Sequence, residues 1–331
     1  MATLSHEAFR RAVERFGGCD EYFTEMINAP SLINMGPFEK YYLLNGPAPE
    51  KIVWQLTGST GAPLAEAAAI VARTGGIGVD INMGCSAPQI YKTGAGIAWM
   101  TKPLEETRSA VRGVRQALDE CARETGRPLR LSVKCRLGDE DYTDDGFFTF
   151  TDMLVSEGVS LITLHARTKK EKFRTHPRYD YAEKLALRYQ KERVEIAVNG
   201  DITDAEAAAH AMKAAPHASS LMIARMAAQK PWIFDELSSR WSAEDAGTAY
   251  TADHRFDAEQ LAMSFVDDVE ACQPKEFHRT RIQRFFAYYC KNFMFGHYFL
   301  TQVQNYHSNE ETREKIHDYF VKQPDEKILS Y

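Results

Sequence analysis

Ile77-Gly78-Val79-Asp80-Ile81-Asn82-Met83-Gly84-Cys85 reads as a β-strand that gives way, at Gly84, to a loop opening on a thiol. The loop runs on through Ser86-Ala87-Pro88-Gln89-Ile90-Tyr91-Lys92-Thr93-Gly94-Ala95-Gly96, glycine-loosened and positively marked, of the kind that closes over a bound substrate. A solitary cysteine is by type a small hydrophobe. A free thiol, with a pKa of about 8.5, is nevertheless mostly protonated at neutral pH and can donate a proton.

Outward from this strand, short β-branched runs recur at 22–27, 51–56, 129–135, 160–165, 194–198 and 221–223, with amphipathic stretches between them at 62–73, 104–125, 148–156, 181–189 and 204–214. Such alternation argues a parallel α/β fold. Seven strands are visible, one short of the eight of a (β/α)8 TIM barrel. The missing strand should precede a helix at 6–16, capped by Thr3 or Ser5. No residues remain there to form it, so the first strand is expected to be truncated and the barrel seam exposed. After Phe234 the alternation stops. Residues 238–253, rich in Ser, Ala, Gly and Thr, read as a linker, and helical spacing resumes at 256–272, 277–295, 296–306 and 310–321. The expected domains are therefore a barrel at 1–237, a linker at 238–253 and a helical bundle at 254–331.

A chain of 331 residues holds a barrel of about 250 and a smaller domain. No apolar run approaches the roughly 20 residues of a membrane span, and the N-terminus lacks the basic and apolar regions of an export signal. A cytoplasmic monomer is expected, with no membrane role. The six cysteines are scattered with no C-x-x-C pair, which argues against a zinc site or a disulfide framework. The net charge of −6 is awkward for a nucleic-acid binder, since phosphate contacts by cations supply most non-specific affinity. Local surpluses offset it: ten Lys or Arg face four acids between His165 and Arg193, and Lys275, Arg279, Arg281, Arg284 and Lys291 face only Glu276.

Four further runs follow the Cys85 segment: Ser132-Val133-Lys134-Cys135-Arg136-Leu137-Gly138, Leu164-His165-Ala166-Arg167-Thr168, Asn199-Gly200-Asp201-Ile202 and Ile223-Ala224-Arg225. In order and spacing the five together resemble the tRNA-dihydrouridine synthases, flavoenzymes that reduce a uracil in folded tRNA, over residues 1 to about 235. Two departures stand out. The family has Pro directly after the Cys, where this chain has Ser86 and a Pro88, and Gly-Arg where this chain has Ala224-Arg225.

The resemblance implies a TIM barrel with a helical tRNA-binding domain, FMN as cofactor and NADPH or NADH as reductant. By the same resemblance NADPH is expected to reduce FMN, the reduced flavin to pass hydride to C6 of a D-loop uracil, and Cys85 to protonate C5. It implies flavin contacts by Gln55, Lys134 and His165, and by Met1 and Ala2. The FMN phosphate falls to Asn199, Gly200, Asp201, Ala224 and Arg225. Asn82 and Arg167 are expected at the uracil or nearby RNA, and Arg279, Arg281, Arg284 and Lys291 at the tRNA backbone. The spacing His278-x-x-Arg281-Ile282-x-x-Phe285 resembles the tail of bacterial members acting at position 16. Alternatives are a dihydroorotate-type FMN dehydrogenase of free pyrimidines, a flavin-free barrel using Lys134 as a Schiff-base amine, and a catalytically silent tRNA-binding homologue.

Overall fold

A computed structural model describes residues 1–139 and 141–331. Its contacts divide the chain into two compact units, residues 21–223 and residues 1–20 with 224–331. The boundary thus falls ahead of the residue 237 expected from composition, and the first twenty residues group with the C-terminal region.

The 21–223 unit is built on a parallel sheet. Its strands are β1 (Tyr22–Phe23), β2 (Ile27–Asn28), β3 (Ile52–Thr57), β4 (Gly78–Met83), β5 (Arg130–Cys135), β6 (Leu161–His165), β7 (Glu195–Asn199) and β8 (Ser220–Met222). Each pairs with the next in chain order, except that β1 and β2 both pair with β3. β1 and β2 occupy one strand position, β1 against the start of β3 and β2 against its end. The expected strand at 22–27 is thus interrupted, because the Thr24 hydroxyl replaces a backbone carbonyl and accepts from Gln55 N–H at 3.0 Å. Seven strand positions result, and among the described residues no pairing joins β8 to β1 or β2. The architecture is an α/β barrel, one strand position short of eight.

Register decides which face each side chain takes, because strand residues alternate between faces and parallel partners share one. Trp54, Val79, Ile81, Val133, Cys135, Ile162, Leu164, Ile196 and Val198 are buried on one face. They supply the apolar surface that helices such as Gly61–Thr74 and Leu104–Thr125 require as partners. The other face carries Gln55, Asp80, Asn82, Ser132, Lys134, Thr163, His165 and Asn199. Lys134 Nζ on β5 reaches Asn199 Oδ1 on β7 at 2.8 Å, past β6, so this polar face is concave.

In the other unit, helices Glu7–Glu14, Ala258–Cys272, Lys275–Tyr289, Gly296–Gln304 and Asn309–Lys322 surround an aromatic core. Phe265 and Phe285 stack at 3.8 Å, Phe285 and Tyr289 at 5.1 Å, and Phe299 and Tyr319 at 4.1 Å between ring centroids. Helix Ile233–Asp245 runs into the stretch read as a linker. Ile233 and Leu237 anchor it by burial, and Arg240, Ala243 and Glu244 are good helix formers that the Ser content masked. A short antiparallel pair, β9 (Arg255–Asp257) and β10 (Ile328–Ser330), had no signal in the sequence. Among the described residues no helix is long and apolar enough to cross a membrane.

Phe285 is fully buried and stacked on two rings. Phe285→Ala should cost about 3–5 kcal/mol of the unfolding free energy of this unit, read by urea titration of the full chain; a loss below about 1 kcal/mol would contradict the packing.

Candidate active site

The concave face gathers its polar groups at the C-terminal ends of β3 to β7, where α/β barrels place their chemistry. Asp80, in the middle of β4, accepts from Gln55 Nε2 and from Ser132 Oγ, both at 2.8 Å. Gln55 Oε1 accepts from Asn82 Nδ2 at 3.0 Å. Asn82 Oδ1 then accepts the backbone N–H of Cys85 at 2.9 Å and of Gly84 at 3.3 Å. The strand-to-loop junction is thus tied to the sheet by Asn82 of its own strand and, through it, by Gln55 of β3. Asn82 and Lys134 are register partners, so the thiol loop and the ammonium leave the sheet at one level.

From the other side, Cys85 C=O accepts from Ile97 N–H at 3.0 Å. Gly96 makes this approach possible: at φ +61°, a Cβ there would lie 2.5 Å from the Cys85 carbonyl oxygen and 3.1 Å from its Cβ. The following turn is pinned where Trp99 Nε1 donates to Gly58 C=O at 2.8 Å, with Lys102 Nζ 3.8 Å over the indole. Pro88, two residues beyond Ser86, opens the short helix Pro88–Tyr91 at a position where its missing N–H is not needed.

Burial pushes the Asp80 carboxyl up to about 6 against the pull of its two hydrogen bonds and of Lys134 and Arg130. Burial, then Arg136, pushes the Lys134 ammonium down to about 8. Arg136 donates to Gly84 C=O at 3.0 Å, and burial lowers it to about 10. Burial also pushes the Cys135 thiol up to about 12, which leaves it inert. Cys85, half-buried, is the thiol that the loop presents.

At the far side, Arg167 lies beneath the β6–β7 loops with 0% exposure. It donates to Asp201 Oδ1 at 3.1 Å, to Thr175 C=O at 2.8 Å and to His165 Nε2 at 2.9 Å. Arginine has no acceptor, so His165 Nε2 accepts and the ring proton sits on Nδ1. Gly200, at φ +120°, packs where a Cβ would meet His165 Cδ2 at 2.8 Å. Arg167, expected at the uracil or nearby RNA, is enclosed, because its fork is committed to Asp201, Thr175 and His165.

The expected residues Met1, Ala2, Ala224 and Arg225 belong to the other unit, where Arg225 is exposed at the start of helix Arg225–Gln229. Arg279, Arg284 and Lys291 are exposed there, with Arg279 5.7 Å from the Tyr306 ring. Arg281, expected with them, is only 2% exposed: His278, Arg281, Ile282, Phe285 and Phe286 form the buried stripe of their helix, and Arg281 lies over Phe277. Sequence reasoning passed over Asp80, Ser132 and Arg136. A carboxylate between Val79 and Ile81 in an apolar strand is itself a signal, since it must find partners inside. No group of three or more His, Cys, Asp or Glu is placed to hold a metal among the described residues.

Residues 1–323 match the profile of the family described as dihydrouridine synthase (Dus). The chain belongs to that family. A Homo sapiens protein named "tRNA-dihydrouridine(47) synthase [NAD(P)(+)]-like" is 30% identical over 242 residues, which cover 72% of this chain and 35% of that one. The chain thus spans about a third of that relative's length. Proteins named "Probable tRNA-dihydrouridine synthase" from Aquifex aeolicus and Rhodobacter capsulatus are 30% and 32% identical, over 74% and 72% of this chain and 72% and 69% of theirs. The Dus match embraces both units, so the helices after residue 224 are part of the family's pattern.

Gly96→Ala forces an L residue to φ +61° and its methyl into the Cys85 carbonyl. Expected is a loss of about 1–3 kcal/mol in stability and a severalfold rise in Cys85 alkylation by iodoacetamide, mapped by mass spectrometry. An unchanged alkylation rate would mean that Gly96 does not hold the loop.

Proposed function

We propose that this Dus-family chain reduces a uridine in the D-loop of tRNA to 5,6-dihydrouridine in the cytoplasm, with FMN as cofactor and NADPH or NADH as reductant. The observation that carries this is the placement of the Cys85 loop, through Asn82, at the register level of Lys134 on one concave face.

The donor set fits a flavin. Gln55, Asn82, Lys134, His165 and Asn199 offer amides, an imidazole and a cation on that face, and the hydroxyls of Thr57 and Thr163 have no hydrogen-bond partner among the described residues. Gly200 lets backbone approach closely where a side chain would collide with His165. Gln55, Lys134 and His165 would hold the ring, the ammonium favouring negative charge on it, and Asn199, Gly200 and Asp201 the phosphate end. When bound, FMN supplies the hydride, taken from the nicotinamide, that reaches C6 of the uracil. Cys85 Sγ–H then gives its proton to C5, at the position fixed by its backbone bonds to Asn82 and Ile97. Asn82, buried beside the thiol loop, is placed to meet the pyrimidine edge. The uracil must leave its stack at a cost of a few kcal/mol, least in an irregular loop such as the D-loop. Arg279, Arg284 and Lys291 supply exposed cations for the RNA backbone, which position without reading sequence.

The test is incubation of unmodified tRNA with the full chain, FMN and NADPH, mapping dihydrouridine by mass spectrometry. Cys85→Ala should keep bound FMN and its reduction by NADPH but lose about 10²- to 10⁴-fold in product formation; an unimpaired yield would overturn the acid assignment. Lys134 loses its charge as pH rises through about 8. FMN affinity, followed by flavin fluorescence, should therefore fall about tenfold between pH 7 and 9, a change of about 1.4 kcal/mol. Lys134→Met should be weak and flat across the same range.

A further inference from the structure

Asp80 has no part in the proton or hydride path, yet it is fully buried in the middle of the strand that leads to the thiol. A carboxylate has no hydrogen to give. The end of Gln55 that faces Asp80 Oδ2 at 2.8 Å must therefore be the NH2, which turns Gln55 Oε1 toward Asn82. Asn82 must then present Nδ2 to that oxygen, at 3.0 Å, and turn Oδ1 toward the loop. Only in that orientation can Asn82 accept the N–H groups of Cys85 and Gly84. Taken alone, each amide could be flipped with almost no change of shape. Neither end of the chain can reverse, the carboxylate of Asp80 at one and the backbone N–H groups of Cys85 and Gly84 at the other, and with Asp80 ionised only this direction suits both.

We propose that Asp80 is a positioning residue: its carboxylate fixes the direction of the hydrogen-bond chain through Gln55 and Asn82, and so holds the Cys85 backbone in the orientation from which the thiol acts. This rests on the reading of Cys85 as the active thiol. A proton on Asp80 would let it donate to Gln55, reversing both amides and aiming Asn82 Nδ2 at two N–H donors. Burial brings that event into reach by raising the carboxyl to about 6. The charged groups acting on it are Lys134 and Arg130 of β5, both favouring ionisation, while the facing residues of β3 carry no titratable side chain.

The experiment is amide hydrogen exchange resolved at Cys85 on the full chain, corrected for intrinsic rates. In Asp80→Asn either end of the new amide can face Gln55, so protection at Cys85 should fall at least tenfold while helix Leu104–Thr125 stays protected. Asn82→Ala should loosen the same amide, and the double variant no further than Asn82→Ala alone, because both cut one chain. Wild-type protection at Cys85 should drop as pH falls through about 6. If Asp80→Asn does not fold, Gln55→Met, which severs the chain at its centre, should give the same loss. Undiminished protection in either folded variant, additive effects in the double variant, or a flat wild-type pH profile would each overturn the proposal. None of these measurements needs FMN or tRNA. A chain that responds as expected but makes no dihydrouridine would sink the functional reading and leave the relay standing.

Discussion

The hydrogen bond from Lys134 Nζ to Asn199 Oδ1 crosses an intervening strand, and the rest of the site depends on the constraint that it expresses. A sheet that curls until strands two apart touch through their side chains encloses whatever its inner face carries. Here that face is polar from β3 to β7, and enclosed polar groups must satisfy one another. Asn199 passes the bond on by donating to Met222 C=O at 2.8 Å, so β5, β7 and β8 are joined by side chains as well as by their ladders. The apolar residues of the same strands have no such demand and need only a helix to cover them. One alternation in the sequence therefore separates packing from chemistry.

The same enclosure moves the Asp80 and Lys134 groups toward each other's range, Asp80 up and Lys134 down, because burial disfavours both charged forms. Each charge lessens the other's penalty across the β4–β5 pair. They remain separate in use, since Asp80 is saturated by Gln55 and Ser132 deep in the barrel while Lys134 is half-buried toward the mouth.

How much of this was legible follows from the range of the interactions concerned. The helix at 104–125 was read to its ends, since its apolar spacing and the Gly126 that stops it are local signals. The strands were visible for the same reason, and the run ending in Cys85 marked the loop that the structure pins between Asn82 and Ile97. Thr24 was not legible as a break in a strand, because the N–H that it accepts belongs to Gln55, on another strand. Arg167 reads in sequence as a free cation, and only the fold brings Asp201 to it. Arg281 was misjudged for a different reason: its helical phase with Ile282 and Phe285 was available, but a cluster of cations drew the reading to charge instead of periodicity.

Two groups of fixed polarity stand at opposite ends of the concave face, and they organise it in the same way. Asp80 as a carboxylate only accepts and Arg167 can only donate, so neither leaves its neighbours a choice. Gln55, Asn82 and His165 on that face are ambiguous in isolation: two amides that can flip and an imidazole with two tautomers. Asp80 settles Gln55 and, together with the backbone N–H groups of Cys85 and Gly84, Asn82; Arg167 settles His165, with the proton on Nδ1. Arg167 is itself fixed by Asp201, whose backbone at φ +49° follows directly on Gly200. Gln55, Asn82 and His165 are thus neutral and adaptable by type, yet oriented by buried charges beside them. This explains how a site built largely of amides can still present donors and acceptors in one pattern. It also explains why the two charges that set the pattern, Asp80 and Arg167, are both fully enclosed: at the surface, water would offer each of them a partner of either kind, and the direction would be lost.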